Sequence, residues 1–169
     1  MTQLFEGITR VISIGVGATV VLDIWIYLLK RLHIPSLNFA FLGRWIGHLL
    51  RGQWAHDGIA RAGPIKRELL LGWLAHYAIG IAFAAILVSA CGLEWARAPS
   101  LLPALCIGIG TVVAPLFVMQ PAMGAGIASS KTSAPILNCI KSLTNHAVFG
   151  VGLYLAAVAT DSFILSPDI

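Results

Sequence analysis

Residues 69–93 read LLLGWLAHYAIGIAFAAILVSACGL, a stretch of 25 residues with no Asp, Glu, Lys or Arg. A helix needs about 20 consecutive, mostly apolar residues to cross the hydrocarbon core of a bilayer. The stretch is long enough and carries no charge. It therefore predicts a transmembrane helix over residues 68–92, and the remaining apolar stretches can be compared with it.

Three further apolar stretches are present, at residues 9–30, 100–121 and 136–160. Between Val11 and Leu29 the first is interrupted by one charge, Asp23. It is not typical of a cleavable signal peptide, because it is long, carries that charge and lacks a small-residue cleavage pattern before Lys30. We therefore predict an all-α membrane protein, a single transmembrane domain over residues 1–169 with four transmembrane helices arranged as two hairpins.

The composition also indicates a membrane protein. Of 169 residues, 58% are hydrophobic and 11% are charged, whereas about 25% are charged in ordinary soluble domains. A disordered chain is excluded, because disorder requires low hydrophobicity and high net charge. A disulfide scaffold is excluded because the three cysteines are few and odd in number, and no Cys-x-x-Cys pair indicates zinc or dithiol chemistry.

The basic residues predict an orientation. Most of them lie between the first and second spans or near the loop between the third and fourth: Lys30, Arg31, Arg44, Arg51, Arg61, Lys66, Arg67, Lys131 and Lys141. The other side has only Arg10 and Arg97. Basic loops face the cytoplasm, so both termini are predicted to be extracytoplasmic. The net charge of +4 is thus a topology signal, and no nucleic-acid partner is expected.

The segment between the first two spans contains a predicted interfacial amphipathic helix at about residues 38–51. Its apolar positions follow the spacing of one helix face: Leu42, Trp45, Ile46, Leu49 and Leu50. Ser36 or Asn38 could cap its start and Gly52 could end it. The helix is either an anchor that meets anionic lipid or a lid over a cytoplasm-facing cavity, with Arg44 and His48 pointing inward.

Short strings recur in the order that a duplication of a two-helix unit requires. Residues 14–21 resemble residues 107–113, and His76-x-x-x-Gly80 resembles His146-x-x-x-Gly150. The repeat would be parallel, about an axis along the membrane normal, and would place the two histidines opposite each other. The alternative is coincidence between glycine- and valine-rich helices.

Polar side chains within the spans are the candidates for a site, because ionisable groups in a bilayer are costly and often functional. We expect Asp23, His76, Gln120 and His146 to line one cavity in the cytoplasmic half of the bundle, with Arg44 and His48 at its mouth. Breaks at Pro115 and Pro121 suit a cavity wall. Tyr77 and Asn145 adjoin the histidines and are expected to point elsewhere. The alternative is that these polar groups only satisfy contacts between helices.

Five strings together are familiar: residues 35–38 (PSLN), 43–48 (GRWIGH), 72–77 (GWLAHY), 119–126 (MQPAMGAG) and 146–154. They resemble a family of small bacterial inner-membrane proteins that is catalogued as a domain of unknown function. The resemblance extends over nearly the whole chain. It implies a four-helix bacterial membrane protein, and it supplies no activity and no assigned site residue.

Three function classes remain open. The first is a small transporter or channel for an anionic or protonatable solute, whose ligand is unknown and which would form a homo-oligomer in the bilayer. The second is a haem- or metal-binding membrane protein with His76 and His146 as axial ligands. The third is a structural or regulatory subunit. An enzyme is not favoured, since no Gly-x-Ser-x-Gly, P-loop or His-Glu-x-x-His motif is present, and the sequence requires no cofactor.

Overall fold

The computed structural model describes residues 3–34 and 38–164, and within these ranges the regular structure is helical, with no strand. The helices are α1 (Gln3–Arg31), α2 (Phe39–Leu49), α3 (Glu68–Arg97), α4 (Leu101–Gly110), α5 (Gln120–Ala122) and α6 (Pro135–Ile164). The all-α prediction is therefore confirmed for this part of the chain.

Four helical stretches are long and apolar enough to cross a membrane: Gln3–Arg31, Glu68–Arg97, Leu101–Ala122 and Pro135–Ser162. The protein is thus a multi-pass membrane protein by the length and composition of its helices. Three observed helices extend beyond the predicted spans, and α6 runs to Ile164, four residues past the predicted end at residue 160. α1 begins before residue 9, and α3 continues past a break at Gly92, where φ is +80°.

The long helices pack with α1 between α3 and α6, while α4 packs mainly on α6. The interior is built from a few large apolar side chains, Ile14, Leu87 and Leu153, each fully buried. Alanines fill the spaces between them, including Ala18, Ala84, Ala104 and Ala157. Small residues suit helix contacts in lipid, where close van der Waals packing takes over from the hydrophobic effect.

One end of the bundle, here called the α2 end, holds the end of α1 at Arg31, the start of α3 at Glu68, and α2. The cap of α2 is the predicted Asn38, whose Oδ1 accepts a hydrogen bond from the Ala40 amide at 3.0 Å. Ser36, the alternative cap, lies outside the described residues. This geometry fixes where α2 begins.

The buried face of α2 differs from the predicted one. Phe39, Leu42, Gly43 and Gly47 are buried, whereas Leu50 is 78% exposed. A Cβ on Gly43 would collide with the backbone of α3, as would one on Gly72 with α2. The backbones of α2 and α3 are therefore in direct contact at these glycines. The face of α2 that packs on α3 includes glycines in addition to large apolar residues.

The third span is irregular, as its prolines predict. α4 ends at Gly110, and Pro115–Met119 form a π-helical turn before α5. Proline lacks the amide donor that a regular helix needs at that position. The end of α5 packs against the loop that follows α2. The amides of His56 and Ile59 in that loop donate to Ala122 O and Met123 O, each at 2.9 Å.

Charged side chains connect three helices at the opposite end of the bundle. Arg10 is 3% exposed and donates to Glu6 at 3.0 Å, Asp161 at 2.9 Å and the Ala96 carbonyl at 2.6 Å. Arg97 also donates to Glu6, at 2.8 Å. The extension of α1 before residue 9 supplies Glu6, so this ion-pair cluster joins α1, α3 and α6.

The contact between α2 and α3 gives a first prediction. Gly43→Ala should destabilise the protein by about 1–3 kcal/mol, because the added methyl group has to push two backbones apart. Gly110→Ala is the matched control, since a Cβ there meets nothing within 4 Å. Circular dichroism melting in lipid nanodiscs should show a lowered midpoint for the first variant only. Equal midpoints for the two variants would contradict the close contact.

Candidate functional site

Asp23 lies inside a membrane-spanning helix. It is eight residues before Arg31, the last residue of α1, which is about 12 Å along the helix axis. Its side chain is 20% exposed in the isolated chain. A carboxylate at that depth is costly without hydrogen-bond donors or water, so its partners decide what it can do.

Two side chains of α3 supply those donors. His76 Nε2 lies 2.9 Å from Asp23 Oδ1, and the Tyr77 hydroxyl donates to Asp23 Oδ2 at 2.8 Å. Each carboxylate oxygen therefore has one partner. His76 is eight residues from Glu68, the first residue of α3, so the three side chains sit at matching depth. We call Asp23, His76 and Tyr77 the Asp23 site.

The contact of Tyr77 corrects a prediction. Neighbouring residues of a helix point about 100° apart. For that reason the sequence predicts that Tyr77 faces away from Asp23, the proposed neighbour of His76. The phenol is long enough to reach around α3, and its ring lies 5.7 Å from the His76 ring, edge-on. The two residues hold the carboxylate from both sides.

Aromatic rings cover the imidazole. The Phe39 ring of α2 lies 4.5 Å from the His76 ring and 4.4 Å from that of Trp73, centroid to centroid. Phe39 belongs to an apolar cluster that also takes in Ile26 and Leu42, with Met119 and Met123 packed against it. The Asp23 site is therefore bordered by an apolar layer on the side of α2, and α2 contributes directly to it.

His146 belongs to a different polar group. Its Nδ1 lies 2.9 Å from Thr111 Oγ1 and 3.2 Å from the Gly108 carbonyl. Thr111 gives its hydroxyl proton to the same carbonyl at 2.6 Å, so Nδ1 carries the proton and donates. The group joins α6 to the third span.

The two histidines are not brought together. The His146 ring lies 6.3 Å from that of Phe83, and Phe83 is seven residues from His76, about 10 Å along α3. Among the described residues, no group of three or more His, Cys, Asp or Glu could hold a metal ion. The arrangement thus offers no support for axial haem ligation by this pair.

Gln120 forms a third polar group at the break in the third span. It donates to Ser142 Oγ at 3.3 Å and accepts from Ser129 Oγ at 2.9 Å. Ser129 is 2% exposed and has a positive φ of 60°. The hydrogen bonds join the end of the third span to the loop after it and to α6, so the predicted single cluster is divided into three groups.

The predicted mouth residues are engaged within the protein. Arg44 makes two hydrogen bonds to Glu68, at 2.9 and 2.8 Å, and its Nη1 contacts three carbonyls of residues 59–62. The paired carboxylate raises the pKa of the guanidinium above its ordinary value. His48 Nε2 lies 2.8 Å from the Gly63 carbonyl. Both side chains hold the segment between α2 and α3 in place.

Sequence reasoning missed several polar partners: Tyr77, Thr111, Ser129 and Ser142. Hydroxyl residues in an apolar helix are common, and they often bond only to their own backbone, as Thr19 does to Gly15. The one sequence feature that could have indicated Ser129 as a partner of Gln120 is its position in the loop after the Gln120-Pro121 break. Asn145 was expected to point away from the histidine group, and it accepts from Trp25 Nε1 at 3.0 Å.

A family model described as a protein of unknown function (DUF2938) matches residues 12–160. The chain belongs to the DUF2938 family. The predicted resemblance to a domain of unknown function is thereby confirmed. No curated protein and no solved structure matches the chain.

The DUF2938 match covers the whole of the Asp23 site. It also includes His146 and Gln120, whereas Glu6 and Asp161 of the ion-pair cluster lie outside residues 12–160. The family description supplies no activity.

The Asp23 site gives a second prediction, tested by double-mutant cycles. Asp23→Asn and His76→Gln should show an interaction energy of about 0.5–3 kcal/mol, as directly bonded side chains do. Asp23→Asn with His146→Gln is the control, and these should be additive within about 0.5 kcal/mol because they share no partner. Reversible unfolding in mixed micelles measures both. Additivity in the first cycle would contradict the hydrogen bond.

Proposed function

We propose that this protein is a proton-coupled transporter of a small anionic or protonatable solute in the bacterial inner membrane, with the Asp23 site carrying the proton. The observation that carries the proposal is the hydrogen bond of 2.9 Å between Asp23 and His76, about 12 Å from the helix ends. An ionisable pair at such a depth is a functional candidate by default.

The chemistry of the pair suits proton exchange. An imidazole changes charge near neutral pH, with an ordinary pKa of about 6.5. The carboxylate beside it accepts a proton along the same hydrogen bond, and the Tyr77 hydroxyl, which donates to the other oxygen, stabilises the ionised form. A helix contact alone needs no ionisable group, since a neutral amide pair would satisfy the same donors and acceptors.

Gln120 and His146 are proposed as further solute contacts in polar groups of their own. Gln120 is supported by its position at the π-helical break, since irregular backbone at membrane depth occurs where it is buried in protein or lines a wet cavity. Arg44 and His48 are left out of the proposed solute site, because their side chains are already bonded to the segment before α3.

The proposed orientation puts the α2 end in the cytoplasm and both termini outside. Most basic residues lie at or near that end, as the positive-inside rule requires. At the opposite end, Arg10 and Arg97 are both held in ion pairs with carboxylates. They therefore contribute little positive charge to oppose this orientation.

A homo-oligomer is proposed because four spans are few for a complete pathway. The outer surfaces of the long helices carry many exposed large apolar side chains, among them Ile24, Leu74, Phe117 and Ile140. These surfaces suit contact with lipid or with a second copy of the chain.

We also propose that the four spans form two related hairpins. Gly15 of α1 touches Gly80 of α3, and Gly108 of α4 touches Gly150 of α6. These are the glycines that the repeated strings align, so each proposed hairpin closes at corresponding positions. This correspondence supports a duplication over a chance likeness.

A structural or regulatory subunit is the second candidate. It is favoured by one observation, namely that Gln120 and His146 are hydrogen-bonded to side chains elsewhere in the same chain. In that case the polar groups would only hold the helices in register. No observation favours haem binding.

Reconstituted protein provides the functional test. Liposomes that contain a pH-sensitive dye and the purified protein should take up protons when small carboxylates, phosphate or amines are supplied in turn. Asp23→Asn should slow this flux by at least about tenfold, since it removes the proton acceptor. His76→Gln should act in the same direction, since it removes the imidazole that shares the hydrogen bond with Asp23.

The control for this experiment is His33→Gln, an exposed histidine outside these polar groups, which should keep a rate close to that of the wild type. Flux that persists in Asp23→Asn would contradict the assigned role. A wild type that moves no protons with any of these solutes would favour the structural subunit.

The orientation has its own test. Reporter domains fused after Arg61 and after Ile169 should report the cytoplasm and the extracytoplasmic side, respectively. Green fluorescent protein and alkaline phosphatase distinguish the two compartments. A cytoplasmic signal from the fusion after Ile169 would overturn the orientation, whatever the outcome for transport.

A further inference from the structure

His56 occupies an unusual position in the loop after α2. Its amide donates to the Ala122 carbonyl at 2.9 Å, which fixes the residue against the end of the third span. Both ring nitrogens are buried, and neither has a hydrogen-bond partner. Within residues 3–34 and 38–164, these two are the buried side-chain nitrogen or oxygen atoms left without one. Such atoms are costly and usually indicate an unseen water or ion.

A second imidazole lies beside it. The His48 ring of α2 is 4.9 Å from the His56 ring, centroid to centroid, at an interplanar angle of 69°. His48 Nε2 contacts the Gly63 carbonyl at 2.8 Å. Because a carbonyl can only accept, Nε2 carries the proton, and the lone pair of the neutral ring is left on Nδ1.

We propose that His48 and His56 together bind a divalent transition-metal ion, with zinc as the representative. An ion about 2.0–2.1 Å from one nitrogen of each ring would set the ring centroids about 5 Å apart at a near-tetrahedral angle. The observed separation of 4.9 Å matches that arrangement. The site is distinct from the Asp23 site and does not depend on transport.

The surroundings of His48 support ligation. Histidines that bind metal usually donate their other ring N–H to a carbonyl or carboxylate, which fixes the tautomer and the ring orientation. The contact between His48 and Gly63 is of this kind. Imidazole nitrogens suit zinc, copper or nickel, and they suit magnesium and calcium poorly, since these prefer oxygen.

The site would be open. The described residues include no third His, Cys, Asp or Glu that completes a metal-binding group with these two. Water or a small ligand therefore fills the remaining positions, as at zinc sites that exchange a ligand. Because His48 is on α2 and His56 is fixed to Ala122, the ion would connect α2 with the end of the third span.

The test uses full-length protein without a histidine tag, stripped with chelator and dialysed against Zn²⁺. The wild type should bind one ion per chain. His48→Ala and His56→Ala should each weaken binding by at least about tenfold, since each removes a ligand. His33→Ala is the matched control, because His33 is an exposed histidine elsewhere in the chain, and it should bind as the wild type does.

X-ray absorption on the zinc-loaded wild type gives a measurement that needs no variant to fold. It should count two imidazoles in the first coordination sphere. No ion bound by the wild type, one imidazole or none in the spectrum, or a loss of binding in His33→Ala equal to that in His56→Ala would each overturn the proposal.

Discussion

A carboxylate about 12 Å inside a membrane-spanning helix cannot depend on bulk water, and Asp23 is therefore tied to the elements around it. α3 supplies two hydrogen-bond donors to the carboxylate, the imidazole of His76 and the phenol of Tyr77. α2 contributes Phe39, whose ring packs on the imidazole of His76. Three helices thus meet around one carboxylate. The close contact of α2 with α3 through Gly43 and Gly72 brings α2 near enough for Phe39 to reach His76.

At the opposite end of the bundle, the carboxylates have a permanently charged partner. Glu6 and Asp161 face the guanidinium of Arg10, which is always charged and almost fully buried. A permanent cation keeps a carboxylate ionised and holds helices together. His76 is not a permanent cation, since an imidazole can exist in a neutral form. The contrast between a fixed partner and a titratable one is why we propose proton transfer for Asp23 and a structural role for the ion-pair cluster.

The sequence was sufficient for the helices and for part of the site. Apolar length alone located the four spans, Asn38 was recognisable as a cap, and Asp23 and His76 were both selected as candidates. Their neighbours were not predictable, because helical periodicity gives a direction about the helix's own axis and does not say which helix lies there. Gln120 and His146 were grouped with Asp23 for this reason, and the structure places each of them in a separate group. Likewise, nothing in the spacing of residues 54–58 brings His56 beside His48; tertiary contact with Ala122 does so.

Asp23 is proposed to exchange a proton with its surroundings while the protein is in a bilayer. Infrared difference spectroscopy on lipid-reconstituted protein tests this directly, with the pH cycled between about 4 and 9 to cover carboxylate and imidazole titration. We expect one component of the reversible carboxyl C=O band that forms on acidification to be missing in Asp23→Asn and present in His146→Gln. If Asp23→Asn gives the same difference spectrum as the wild type, the carboxylate does not titrate, and its role is only to hold α1 against α3.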